Sequence, residues 1–101
     1  MILEIAELKI KNGAEQEFVR NVATGMAIFR RTKGCEGVEL LHSSEVAGGY
    51  RLLVRWKTIA NHLIDFRGSD DFAQWQKLTA HCFTEPPVIR NWEVAVGGFG
   101  F

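Results

Sequence analysis

The sequence predicts an α+β, ferredoxin-like fold: a four-stranded antiparallel sheet with helices on one face. Four segments rich in branched apolar residues read as strands. A strong helical stripe lies between the first and second of them, and a broken helical segment between the third and fourth. The second and third are joined by a short glycine turn, which makes an antiparallel hairpin. The resulting order is strand, helix, strand, strand, broken helix, strand, the split-βαβ arrangement.

Each element has a local reason. Ile2 to Ile10 (ILEIAELKI) alternates loosely and is rich in branched residues, and Asn12-Gly13 ends it. A helix then starts near Ala14, with Phe18, Val22, Met26 and Phe29 forming one apolar stripe. Glu15 and Glu17 suit its positive N-terminal end; Arg30, Arg31 and Lys33 suit the negative end, where Gly34 can adopt the left-handed stop. Val38 to Val46 is the second expected strand, and Tyr50 to Lys57, after Gly48-Gly49, is the third. Thr58 can cap a short helix through about Phe66. Arg67-Gly68 stops it, and Ser69 caps the next helix, with Asp70 and Asp71 in its first turn. Phe72, Trp75, Thr79 and Cys82 fall on one side of that helix. Pro86-Pro87 ends helical structure, and Val88 to Val96 is the expected fourth strand.

Composition narrows the function classes. At 101 residues the whole chain, 1–101, reads as one domain, and 47% hydrophobic residues make it globular. Twelve basic and twelve acidic side chains balance, with no block of like charge, so neither a nucleic-acid nor a membrane partner is expected. The N-terminus lacks the pattern of a signal peptide, and no apolar run approaches the ~20 residues of a spanning helix. A cytoplasmic location is the resulting expectation. Cys35 and Cys82 fit no CxxC pattern and are expected as thiols, structural rather than reactive.

Helices on one side leave the other sheet face open. Leu52-Leu53-Val54, Leu40-Leu41 and Val94-Ala95-Val96 place apolar side chains on both faces. An open apolar face of this size predicts a homodimer with sheet packed on sheet. Phe99 and Phe101 in the glycine-rich tail are read either as a clamp on the partner or as a frayed end.

The run Arg55-Trp56-Lys57-Thr58 to His62, then Asp65-Phe66-Arg67-Gly68-Ser69, Phe72 and Trp75, and later Glu85-Pro86-Pro87-Val88, resembles the antibiotic biosynthesis monooxygenase family. The resemblance covers nearly the whole chain. It implies a dimeric α+β barrel with one pocket per subunit between sheet and helices. Some members oxidise aromatic polyketides there without a bound cofactor, others degrade haem, and many have no established activity. In the quinone-forming members an asparagine four residues before the strand tryptophan helps bind substrate; here that position is Leu52. A tyrosine six residues after the tryptophan is matched by His62. The asparagine, tryptophan and histidine of the haem-degrading members fall near Ile5, Phe66 and Gln76, so that activity is disfavoured.

Among candidate residues, His62 is the acid/base, because an imidazole can move a proton near neutral pH. The competing reading is a hydrogen-bonded structural histidine. Arg67 is a candidate anion anchor, with a helix-end arginine paired to Asp65 or Asp71 as its rival. Trp56, Phe66, Phe72, Trp75 and Trp92 are candidates to line a flat apolar pocket, against the plainer role of core. His81 suits the end of the last helix, and His42 a surface or interface. No metal is expected, because the histidines are spread along the chain without ligand spacing. No cofactor is expected either: Gly97-Gly98-Phe99-Gly100 opens no helix, as phosphate and dinucleotide motifs must. The leading function is therefore a cofactor-independent monooxygenase for a small aromatic, quinol or anthrone. The rivals are a non-catalytic ligand-binding or stress-response module and a haem- or flavin-binding protein.

Overall fold

The structure is a computed structural model that describes residues 1–100. Strand β1 (Ile2–Lys9) is followed by helix α1 (Glu15–Arg30), then β2 (Cys35–His42) and β3 (Gly49–Trp56). A π-helical turn (Asn61–Phe66) leads to α2 (Asp70–Thr79), a 3₁₀ turn (Ala80–Cys82) and β4 (Val88–Trp92). The strands pair antiparallel throughout in the order β2-β3-β1-β4, with the helices packed on one face. This is the ferredoxin-like α+β fold expected from the order of elements.

The core lies between the sheet and the helical layer. Ile2, Ala6 and Leu8 of β1 and Leu52, Val54 and Trp56 of β3 meet Phe18, Val22, Ile28 and Phe29 of α1. Complete burial of a ring the size of Trp56 removes enough apolar surface to contribute about 4–6 kcal/mol, an upper bound. At Gly25 of α1 an added Cβ would lie 2.6 Å from the Trp75 ring, so only glycine lets α2 approach this closely. Gly34 has φ +78°, the left-handed stop expected after α1, and a Cβ there would strike the Asn61 side chain.

Two strands differ from expectation by more than one residue. β2 runs Cys35–His42 rather than Val38–Val46. It starts early because the turn at Gly34 releases Cys35 directly into register with Trp56, with an irregularity before Gly37. It ends early because the Ser43 hydroxyl accepts from the backbone N–H groups of Glu45 and Val46, folding residues 43–46 into a turn. β4 stops at Trp92 rather than Val96, because Trp92 pairs with Leu3 and β1 offers only Ile2 beyond it. Val96 is accordingly 85% exposed. Phe99 is 96% exposed, and Phe101, paired with it in the clamp reading, lies outside the described residues.

The sheet register also sorts the open face. Leu3 and Ile5 of β1, Leu41 of β2, Leu53 of β3 and Val88 and Trp92 of β4 share it. Arg51–Glu7 at 3.0 Å and Arg55–Glu39 at 3.1 Å border these apolar side chains. No helix among the described residues is long and apolar enough to cross a membrane. Cys35 and Cys82 are free thiols, and burial pushes both above the ordinary thiol range.

Candidate active site

Three local devices position the side chains behind the sheet. Thr58 caps the first helical turn: its hydroxyl accepts from the Asn61 N–H at 3.2 Å, while Asn61 Oδ1 accepts from the Thr58 N–H at 3.1 Å. The chain then widens into a π-helical turn, marked by the Arg67 N–H bonding the His62 carbonyl. Both His62 and Phe66 face inward from it. Ser69 closes the joint, its hydroxyl donating to the Phe66 carbonyl at 2.6 Å and accepting from the Phe72 N–H at 3.2 Å. The helix it starts carries Phe72 and Trp75 back over the same space.

These elements enclose an open cavity of about 610 Å³ between the sheet and α2. That is within the usual size of a small-molecule site, about 300–1,000 Å³. Phe66, Phe72 and Trp75 form an aromatic wall, Leu52 and Ala6 a sheet-side floor, and Glu85-Pro86-Pro87 one rim. The rings pack edge-on: Phe66 to Phe72 at 5.3 Å and Phe29 to Trp75 at 4.8 Å between centroids.

The polar part of the wall is a buried network. Glu4 of β1 is 5% exposed and His62 is 1% exposed. Glu4 Oε1 accepts from the Trp56 indole N–H at 2.9 Å and lies 3.2 Å from His62 Nε2. On the other side His62 Nδ1 lies 2.8 Å from Asn91 Oδ1 of β4. The indole stacks flat on the imidazole, 5.5 Å between centroids and 5° between planes. Burial pushes the Glu4 carboxyl above the usual carboxylate range, against the opposing pull of His62, the indole N–H and Arg67.

His62, Arg67, Phe66, Phe72 and Trp75, five of the residues singled out from the sequence, meet at this cavity. Trp56 is one layer deeper, fully buried behind His62. Trp92 does not join them. It pairs with Leu3, so strand alternation turns it to the open sheet face, where it is 52% exposed. Arg67 takes neither helix-end partner considered for it, because Asp71 is held by Arg31 and Asp65 by Asn61. Its guanidinium instead lies 6.0 Å from the Phe72 ring centroid. His81 pairs with Glu17, and His42 stacks on Tyr50 at 4.5 Å, both outside the cavity.

Glu4 and Asn91 are the residues of this network that pattern reading missed. The signal was present for Glu4, which shares the two-residue phase of Ile2, Ala6 and Leu8, the inward face of β1. Asn91 has no such local signal, since its role depends on pairing opposite Glu4 across the sheet.

Comparison with known proteins agrees with this architecture. A family model for antibiotic biosynthesis monooxygenases matches residues 1–78. The uncharacterised protein YczJ of Bacillus subtilis (strain 168) is 33% identical over 93 residues, 92% of this chain and 98% of that protein. A Bordetella bronchiseptica structure named for the same monooxygenases superposes with a TM-score of 0.91 at 41% identity, covering 94% of this chain and 97% of that one. SnoaB, a cofactor-independent oxygenase from Streptomyces nogalater, shares the fold, with a TM-score of 0.82 at 16% identity over 95% of this chain and 94% of that one.

Proposed function

The chain belongs to the antibiotic biosynthesis monooxygenase family, and from that membership we propose that it oxidises a small aromatic quinol or anthrone with molecular oxygen. The observation that carries this reading is the buried Glu4–His62 pair in the wall of a largely apolar cavity with an aromatic side. A titratable pair facing an apolar cavity is the arrangement that proton abstraction requires. Once deprotonated, an anthrone or quinol is rich enough in electrons to reduce oxygen itself. For an anthrone, one oxygen atom then enters the product as a carbonyl and the other leaves as water. Phe66, Phe72 and Trp75 hold the flat ring system, Trp56 buttresses His62 from behind, and Arg67 anchors the developing oxyanion. Leu52 gives the floor no hydrogen bond, so substrate orientation rests on Glu4, Arg67 and Gln76.

The open sheet face is where a second copy packs in this reading, with Leu3, Ile5, Leu41, Leu53, Val88 and Trp92 at its centre. One observation favours a non-catalytic binding module instead: both ring nitrogens of His62 already have partners within the protein. The test is oxygen uptake by the purified protein across a panel of anthrones and quinols. His62→Ala is expected to slow turnover about 100-fold or more while leaving the assembly intact. Ligand binding without oxygen consumption by the unmodified protein would establish the binding module, and unchanged rates in His62→Ala would remove His62 from the chemistry. A visible absorption spectrum separates haem or flavin binding from both.

A further inference from the structure

We propose that Glu4 is the group that takes the substrate's proton, with His62 and Asn91 as positioning residues behind it. This rests on the reading of the cavity as a site for a hydroxylated aromatic compound. The geometry of His62 points this way. Its Nδ1 lies against Asn91 Oδ1 and its Nε2 against Glu4 Oε1, and one ring face is covered by the Trp56 indole. Both ring nitrogens of the imidazole therefore lie within reach of oxygens of the protein itself.

Glu4 is placed differently. Oε1 is occupied by the indole N–H and the imidazole, whereas no donor among the described residues holds Oε2. Among the described residues no sealed-off polar side-chain atom lacks a partner, so Oε2 is not sealed off, and the cavity is the open space that Glu4 lines. An amide oxygen can only accept, so Nδ1 is the donor in its contact with Asn91 Oδ1, and Nε2 faces Oε1 at 3.2 Å. An imidazole and a carboxyl with one proton between Nε2 and Oε1 are neutral overall, the state that burial favours.

The transfer then balances simply. The substrate O–H bond breaks, an Oε2–H bond forms, and the electron pair stays on the substrate oxygen as a phenolate. The wall gains one positive charge as the cavity gains one negative charge, and Arg67 lies in the same wall. The charged or titratable groups acting on Glu4 are His62 and Arg67 from the helical layer and Cys35 from β2; its other polar neighbours, Trp56 and Asn91, are neutral.

The test uses a hydroxyanthraquinone whose phenolate absorbs to the red of its phenol, with binding followed by tryptophan quenching. In the unmodified protein the bound probe should ionise about one to two pH units below its value in water. Glu4→Gln should abolish that shift while the probe still binds, and His62→Gln should reduce it without abolishing it. The proposal is overturned if His62→Gln abolishes the shift and Glu4→Gln preserves it. It is equally overturned if the probe does not bind, or binds and ionises as in water. Should Glu4→Gln fail to fold, ¹³C-glutamate NMR of the unmodified protein gives the same answer, because probe binding must move the Glu4 carboxyl signal towards its protonated position. Oxygen uptake is a separate arm: a probe shift without any uptake retires the oxygenase reading and leaves the Glu4 assignment standing.

Discussion

Gly25→Ala tests whether the close contact between α1 and α2 shapes the cavity. In the structure the new Cβ would sit 2.6 Å and 2.8 Å from two carbons of the Trp75 ring. Carbon atoms prefer about 3.5–4.0 Å, so either the helices part by roughly 1 Å or the ring turns away. Parting is resisted one turn earlier, where Asn21 Nδ2 donates to the Leu78 carbonyl at 3.0 Å. Turning is resisted by Phe29, which meets the Trp75 ring edge-on at 4.8 Å. Overpacking of this kind costs about 1–3 kcal/mol, and replacing a mid-helix glycine recovers about 1 kcal/mol of helix propensity. The net expectation is a loss of about 1 kcal/mol, up to about 2 kcal/mol. For a domain of this size that lowers Tm by about 4–16 °C, read by circular dichroism or calorimetry. Ligand binding should weaken with it, since Trp75 is part of the cavity wall. The exposed neighbour Thr24 serves as a control: Thr24→Ala has no such contact and should gain a few tenths of a kcal/mol. A Tm for Gly25→Ala equal to or above that of the unmodified protein would refute the argument.

Further expectations concern other parts of the same layer. Glu4 has its folded-state pKa raised by burial, so its contribution to stability is fully present below the ordinary carboxylate pKa and is lost as pH rises through the folded value. Glu4→Gln removes that loss; its Tm advantage over the unmodified protein should grow with pH across this window, and an advantage that shrinks would contradict the sign. Ser69→Ala deletes the cap of α2 and should cost about 1 kcal/mol in denaturant unfolding, with no effect meaning that the Ser69–Phe72 bond contributes nothing. Leu53→Glu puts a charge in the middle of the open face. Sedimentation is expected to give a dimer for the unmodified chain and a monomer for the variant, and a clean monomer of the unmodified protein at micromolar concentration would end the dimer reading.

The joint His62 to Trp75 shows how far local chemistry could be read. Ser69 before two acids, and Thr58 before an apolar turn, are capping signals written in adjacent residues, and both caps form. The stripe of α1 likewise depends only on spacing, and Phe18, Val22 and Phe29 are buried as that spacing requires. The ends of β2 and β4 could not be read this way. Val94 and Val96 have strand propensity, but a strand ends where its neighbour stops offering hydrogen bonds, and β1 runs out beside Trp92. The same dependence misplaced Trp92, whose face follows from its register with Leu3 rather than from its own ring.

Sequence alone determined the order of elements, the helix boundaries set by caps and the family resemblance. These follow from contacts between residues close along the chain, or from periodicity that turns side chains to one face. Tertiary structure alone decided the site's polar centre. Trp56, Glu4, His62 and Asn91 come from four separate elements, and only antiparallel pairing across β3, β1 and β4, with a π-helical turn laid over it, brings their polar atoms within hydrogen-bonding distance. Burial then changes what the residues are: an ordinary glutamate in the written sequence becomes a raised-pKa carboxyl paired with an imidazole, because the surrounding core excludes the water that would otherwise hold its charge.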